Sequence, residues 1–249
     1  MPFSTAHPAL VLPLCKLSKK SVSVTALIIG SISPDMEYFF HLRPNRTFGH
    51  LYLHAWWFDL VITLVLCFVF HHILKRALIH NLPTFLKARA VSYRSLNWYQ
   101  HFKEHYFIIL LSALIGIYSH LVWDEFTHKG TYMVEHVAWL KVHLFDFFGK
   151  SIQVYKVLQH TSSLVGTLIV CYAIFRLERQ TTIAINGNWY FYWLKIVLWS
   201  IPIAALLFLL KWQNLAFTVF IPLLSSLIIC TMTGLLLSWI LVSLLHREV

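Results

Sequence analysis

Five long apolar segments dominate the chain, at roughly 52–74, 106–123, 155–175, 190–210 and 215–245. A membrane-crossing helix needs about 20 mostly apolar residues, so each segment qualifies as a span. Only 12% of the 249 residues are charged and 58% are hydrophobic, against roughly a quarter charged in soluble domains. Backbone groups in hydrocarbon must bond internally, which leaves helices for spans of this length. The expected fold is therefore all-α, a polytopic membrane helix bundle of about five spans. Pro202 should kink the fourth span and Pro222 should interrupt the fifth. Residues 22–32 are apolar but too short to cross alone, and Gly30 and Pro34 close them. They read as a buried or re-entrant helix, with a sixth span as the alternative. Residues 1–175 read as one helical membrane domain and 176–249 as a C-terminal pair of spans, a lipid-facing anchor or assembly surface. The first residues lack the basic and long apolar regions of a secretory signal, so the spans themselves should direct insertion.

The formal charge of +10, from 20 basic and 10 acidic residues, suits contact with anionic lipid headgroups. The basic residues are scattered over loops with no nucleic-acid motif, so nucleic acid is not an expected partner. Cys15, Cys67, Cys171 and Cys230 form no CxxC pair, and three lie in apolar spans. They read as small core residues rather than disulfides or thiolate ligands. Trp56, Trp57, Trp98, Trp189, Trp193 and Trp212 fall near span ends, as an aromatic belt would. His71, His72, His80, His101 and His105 read as interfacial. The linker 125–154 should hold a short amphipathic helix around 133–148.

Alternation of five spans gathers the polar residues of the first two thirds of the chain on one side. His7, Asp35, Glu37, His50, His54, Asp59, His120, Asp124, His128 and His160 all fall on that side or just inside it. Which way the side faces is set by basic loops. Lys75, Arg76, Lys87, Arg89, Arg94 and Lys103 place the opposite side in the cytoplasm, while Lys16, Lys19, Lys20, Arg43 and Arg46 argue the reverse. The first group is denser, so the polar mouth is read as extracytoplasmic.

His120, Asp124 and His128 are spaced four apart and share one helix face. An imidazole and a carboxylate one turn apart form a metal half-site, or they pair with each other inside the bundle. Ionisable groups at membrane depth are costly, which favours a functional reading. Histidine nitrogen and carboxylate oxygen suit zinc, manganese or iron. Gly30 and Pro34 would end a helix sharply and present Asp35. Glu37 is either a general base or a charge at a helix start. His54 is an extra ligand or, more in keeping with its place, an interfacial residue. Asp59 and Gln159 are candidates to support the ligands from behind. Arg43, Arg46 and Lys129 could hold a phosphate, though headgroup contact suits them better.

Met1-Pro2-Phe3 with His7-Pro8, Gly30-Ser31 with Pro34-Asp35, Gly49-His50, Ser119-His120 with Asp124 and Thr127-His128, and Leu158-Gln159-His160 together resemble the bacterial membrane family catalogued as domain of unknown function 4184. The likeness covers roughly residues 1–175. The order His, Asp, His, HxxxD is also similar to that of membrane-bound metal-dependent hydrolases. More distantly it resembles zinc-dependent phospholipases C and related single-strand nucleases. That resemblance implies one to three divalent ions, zinc foremost. Asp35, His50, His120 and Asp124 would hold one ion, and His7 with the other oxygen of Asp124 would begin a second. The soluble enzymes add a later His and a His-x-x-x-Glu pair that this chain lacks. His128 and His160, with Glu125 or Glu135, would stand in.

The function this implies is a metal-dependent hydrolase in the bacterial cytoplasmic membrane. It would cleave a phosphoester or ester of a lipid-like substrate with metal-activated water, using Asp124 and Glu37. Two alternatives remain: a non-catalytic metal-binding membrane protein, and a transporter. No acidic residue lies between Glu178 and Glu248, so the last two spans offer a carrier no acidic path. No protein partner is legible in the sequence.

Overall fold

The structure, a computed structural model, describes residues 4–18, 21–43, 47–147, 149–180, 189–212 and 220–246. Lys19, Lys20 and Arg46, and the opening Met1-Pro2-Phe3, lie outside the described residues, as does the Trp212 side chain. Among the described residues, five helical stretches are long and apolar enough to cross a membrane: Ala55–His80, Trp98–His136, Val154–Phe175, Trp189–Lys211 and Leu223–Leu245. The chain is an all-α polytopic membrane protein. We label the short helix Val24–Gly30 α1, the helical stretch Ala55–His80 α2, Trp98–Thr127 α3, Val154–Phe175 α4, Trp189–Trp212 α5 and Phe220–Leu245 α6.

Several boundaries differ from the sequence expectation. Helix α3 starts eight residues before its apolar run, and its backbone leaves helical geometry at His105 (φ −131°, ψ 24°). Helix α5 runs on through Pro202. Pro222 does not interrupt α6 but falls in its first turn, where the missing N–H has no helical partner to lose. The amphipathic helix predicted over 133–148 ends at His136. It gives way to a hairpin, strand β1 (His143–Phe147) antiparallel to β2 (Lys150–Gln153). Gly149 takes φ +70° at the turn, a conformation glycine adopts without strain.

The chain divides into two compact units. The first is Met1–Asp35, Phe48–Leu64 and His105–Ile174, and the second is Met36–Thr47, Val65–Glu104 and Phe175–Val249. The units interleave in sequence, whereas the sequence reading divides the chain once, near 175.

In the first unit, Ile109, Ala113, Gly116, Ile117, His120, Leu121 and Asp124 form one buried stripe of α3. Their spacing of three and four keeps them on one face. Short α1 lies against this stripe with its backbone almost touching. A Cβ on Gly30 would collide with the backbone of Ala113, and one on Gly116 with the carbonyl of Leu27. The Ser23 N–H at the start of α1 donates to Ser112 Oγ at 2.9 Å. A similar close approach joins α4 to the N-terminal turn, where a Cβ on Gly166 would meet Ala6.

In the second unit, α5 packs on α6, with Gly234 against Ser200 and Ala204. Buried Ala77, Tyr192, Ile196 and Val242 form its core cluster. The Tyr192 hydroxyl lies 2.8 Å from Ser243 Oγ and accepts from Trp239 Nε1 at 2.9 Å. Two tryptophans assigned to a belt do other work. Trp193 Nε1 donates to the Asn81 carbonyl at 2.9 Å. Trp98 is buried and stacked on His71, ring centres 4.2 Å apart, so His71 is a core residue rather than an interfacial one.

Candidate metal centre

The first unit brings five chemistry-bearing side chains into one buried cluster. His120 and Asp124 are one turn apart on α3. Asp35 follows α1 in the turn Ser33–Met36. His50 comes from the segment before α2, and His7 from the turn before Pro8–Val11. The glycine contacts explain the convergence: α1 can lie on α3 only because neither Gly30 nor Gly116 has a side chain, and that contact carries Asp35 to the level of His120.

One oxygen of Asp35 and one of Asp124 face the same two imidazole nitrogens. His50 Nε2 lies 3.4 Å from Asp35 Oδ1 and 3.6 Å from Asp124 Oδ2. His120 Nε2 lies 3.7 Å from each of the same two oxygens. Direct N–H···O bonds are usually about 2.7–3.2 Å. Four ligands on bonds of about 2.0–2.2 Å around a tetrahedral ion stand about 3.3–3.6 Å from one another. The four imidazole–carboxylate separations fall near that range.

The tautomer of His120 agrees. Its Nδ1–H donates to the Ser31 carbonyl at 2.8 Å, which in the neutral ring leaves the lone pair on Nε2. That Nε2 is buried with no hydrogen-bond partner among the described residues. A backbone carbonyl behind a ligand histidine is the usual way its orientation is held.

Asp124 Oδ1 points elsewhere. It lies 3.9 Å from His7 Nε2 and 3.2 Å from His128 Nδ1. The His7 ring stacks on His120 with centres 3.8 Å apart. Neither of its nitrogens has a hydrogen-bond partner among the described residues. Burial first, then the neighbouring His120, pulls its pKa down to about 3, so the ring is neutral at ordinary pH. Burial raises the Asp35 pKa, but His120, His50 and His7 together lower it further, and the carboxyl sits below its usual range. Ligand atoms of His7, Asp35 and His120 lie within 4.8 Å of one another, as do those of His50, His120 and Asp124.

His128 and Gln159 form a brace. Lys156 Nζ donates to Gln159 Oε1 at 2.8 Å, which turns the amide nitrogen toward His128 Nε2 at 2.7 Å. Nε2 accepts, so the proton sits on Nδ1 and points to Asp124 Oδ1 and Thr127 Oγ1. In this arrangement His128 orients Asp124 rather than offering a lone pair. Gln159 is buried and His160, one residue on, is exposed. The helix phase of α4 therefore directs the glutamine inward.

The other expected residues lie as follows. Glu37 is buried in the second unit, where it accepts from the Thr47 N–H at 2.9 Å and lies 3.3 Å from His41 Nε2. Asp59 is buried in the first unit. His54 packs among Phe48 and Trp57. Glu125 accepts from the Met133 N–H at 3.2 Å, and exposed Glu135 pairs with Lys141 at 3.5 Å. Lys156 was not singled out from the sequence, and Ser31 and Thr127 entered only through the family resemblance, without a role. Ser31 had a signal in its place directly after Gly30, and Lys156 in its spacing of three from Gln159.

A buried histidine–aspartate centre in a five-span helical membrane protein is the class that fold and site define. The chain belongs to the family described as Domain of unknown function (DUF4184), whose model matches residues 1–244. The match extends well past the 1–175 that carried the resemblance. No curated protein and no solved structure matches the chain.

Proposed function

We propose that this protein is a membrane-embedded, metal-dependent hydrolase acting on a phosphoester or ester of a lipid-like substrate. The observation that carries the reading is the four-atom set of His50 Nε2, His120 Nε2, Asp35 Oδ1 and Asp124 Oδ2, in which each imidazole nitrogen lies 3.4–3.7 Å from both carboxylate oxygens. The donor set, two imidazoles and two carboxylates, suits zinc. Two buried carboxylates facing the same nitrogens call for positive charge between them. His7 with Asp124 Oδ1 would begin a second position, with fewer protein ligands. A divalent ion held there would supply Lewis acidity for activating water and for stabilising charge on a phosphoryl or acyl oxygen. The chain's own part is to fix Asp124 between two positions, to hold His120 through Ser31, and to keep His7 neutral. The membrane is taken to be the bacterial cytoplasmic membrane, with the centre toward its outer face. That rests on the family resemblance and the basic 75–104 segment.

A second reading has one observation in its favour. Two imidazoles and two carboxylates converge, and four protein ligands would close a tetrahedral site as in structural zinc centres, so the first ion would stabilise without reacting. The test is metal content per purified chain, prepared without chelator, followed by hydrolysis of short-chain phosphodiester and carboxylic ester lipids. Bound zinc, manganese or iron with metal-dependent turnover supports the hydrolase. Bound metal without turnover on any substrate favours the structural ion. A folded, metal-free chain that takes up no added metal would overturn both.

Gln159→Leu should separate bracing from folding. It removes the donor to His128 while keeping a side chain of similar size. Loss of such outer contacts usually costs about 10–100-fold in metal affinity. We expect that range in a competition titration with a chromophoric chelator, with helical content unchanged. Wild-type affinity in the variant would leave the brace without a function.

A further inference from the structure

The second unit holds a cavity of about 450 Å3, within the roughly 300–1,000 Å3 of ligand pockets. Its walls are the last turns of α2, the segment 94–97 with the start of α3, and the end of α6. Lys75, Arg76 and Arg94 line it together with several histidines, and no carboxylate does. Among the described residues none of these three cations has an acidic partner.

Lys75 is the telling residue. It is buried, at 3% exposure, and its Nζ donates to the Leu96 carbonyl at 2.8 Å. One neutral acceptor does not offset the cost of burying an ammonium, which has three donors and a full charge. Two further polar atoms in the walls lack hydrogen-bond partners among the described residues, the Trp98 Nε1 donor and His246 Nε2. Arg76 and Arg94 are exposed, so their guanidinium forks are free to close on a planar or tetrahedral anion.

We infer that this cavity binds a phosphate-bearing anion, with Lys75 as the buried counter-charge and Arg76 and Arg94 as the clamp. The walls come from three span ends, where a lipid phosphomonoester headgroup and a free phosphate both have access. The chemistry recognised is the same for either. The site is independent of the proposed metal centre and stands or falls separately from it.

The test is calorimetric titration of the full chain in a non-ionic detergent with three probes: inorganic phosphate, dioctanoyl phosphatidic acid, and dioctanoyl phosphatidylcholine. Saturable binding of phosphate and phosphatidic acid with similar Kd assigns a soluble source, and much tighter phosphatidic acid binding assigns the headgroup. Both support the site. Arg76→Ala with Arg94→Ala, at exposed positions that leave the core intact, should weaken the Kd at least about 10-fold, the factor that corresponds to 1.4 kcal/mol. Lys75→Met should weaken it further where it folds. Failure of both anions to saturate, phosphatidylcholine binding as tightly as phosphatidic acid, or an unchanged Kd in the double arginine variant would each overturn the proposal.

Discussion

Asp124→Asn should strip the protein of all bound metal, while His7→Ala should leave the first position filled. The difference follows from where the two oxygens point. Oδ2 faces His50 and His120 at 3.6 and 3.7 Å, and Oδ1 faces His7 at 3.9 Å. Asparagine keeps the shape and removes the charge shared by both positions. Loss of a supporting contact alone costs about 10–100-fold in affinity, so loss of a shared ligand should exceed 100-fold. The thermal shift provides a second readout. Metal at about 100 times its Kd stabilises a folded protein by about 2.7 kcal/mol. Wild type should show that stabilisation and Asp124→Asn should not, while the two metal-free proteins unfold at similar temperatures. If Asp124→Asn retained wild-type metal content, the four-atom set would not be the binding site.

Much of this geometry is legible in the chain because α-helical spacing is a strict rule. His120 and Asp124, four apart at the end of an apolar run, must share a face whatever surrounds them. Five apolar segments give five spans for the same reason, since the length of a crossing helix is set by the bilayer. Helix phase is less legible. Gln159 and His160 are neighbours, and only the packing of α4 decides which one turns inward. The role of His128 is less legible still. Its place on the stripe follows from spacing, but its protonated nitrogen is set by the Lys156–Gln159 pair across a chain separation that no pattern reveals. The first strand of the hairpin, His143–Phe147, fell inside the helix expected over 133–148 because its apolar residues fit a short amphipathic turn as well as a strand. Trp98 and His71 were read as interfacial because a span end looks the same in sequence whether it faces lipid or a neighbouring segment. The two interleaved units depend on contacts between distant segments, which a division drawn once along the chain does not anticipate.

Gly116→Ala should destabilise the protein and disturb the centre together, although the same change in an ordinary helix does the opposite. Glycine in a helix interior costs about 0.5–1 kcal/mol relative to alanine, so on helical grounds the substitution should help. Here the added Cβ meets the Leu27 carbonyl, the Ser31 nitrogen and the Gly30 carbonyl carbon. All three belong to the backbone, which cannot swing aside as a side chain can. Overpacking of this kind costs about 1–3 kcal/mol, which outweighs the helical gain. The push also lands on Ser31, whose carbonyl accepts from His120 Nδ1 at 2.8 Å. Separating α1 from α3 would break that bond, leave a buried donor unsatisfied at about 1–3 kcal/mol, and release the ring that presents Nε2. The expected result is a lower unfolding midpoint in the metal-free protein, unlike Asp124→Asn, with metal affinity reduced as well. Gly30→Ala should behave alike, since its Cβ meets the Ala113 backbone from the other side. A metal-free Gly116→Ala protein as stable as wild type would mean that α1 does not rest on α3 at this seam. Asp35 would then need another route to His120.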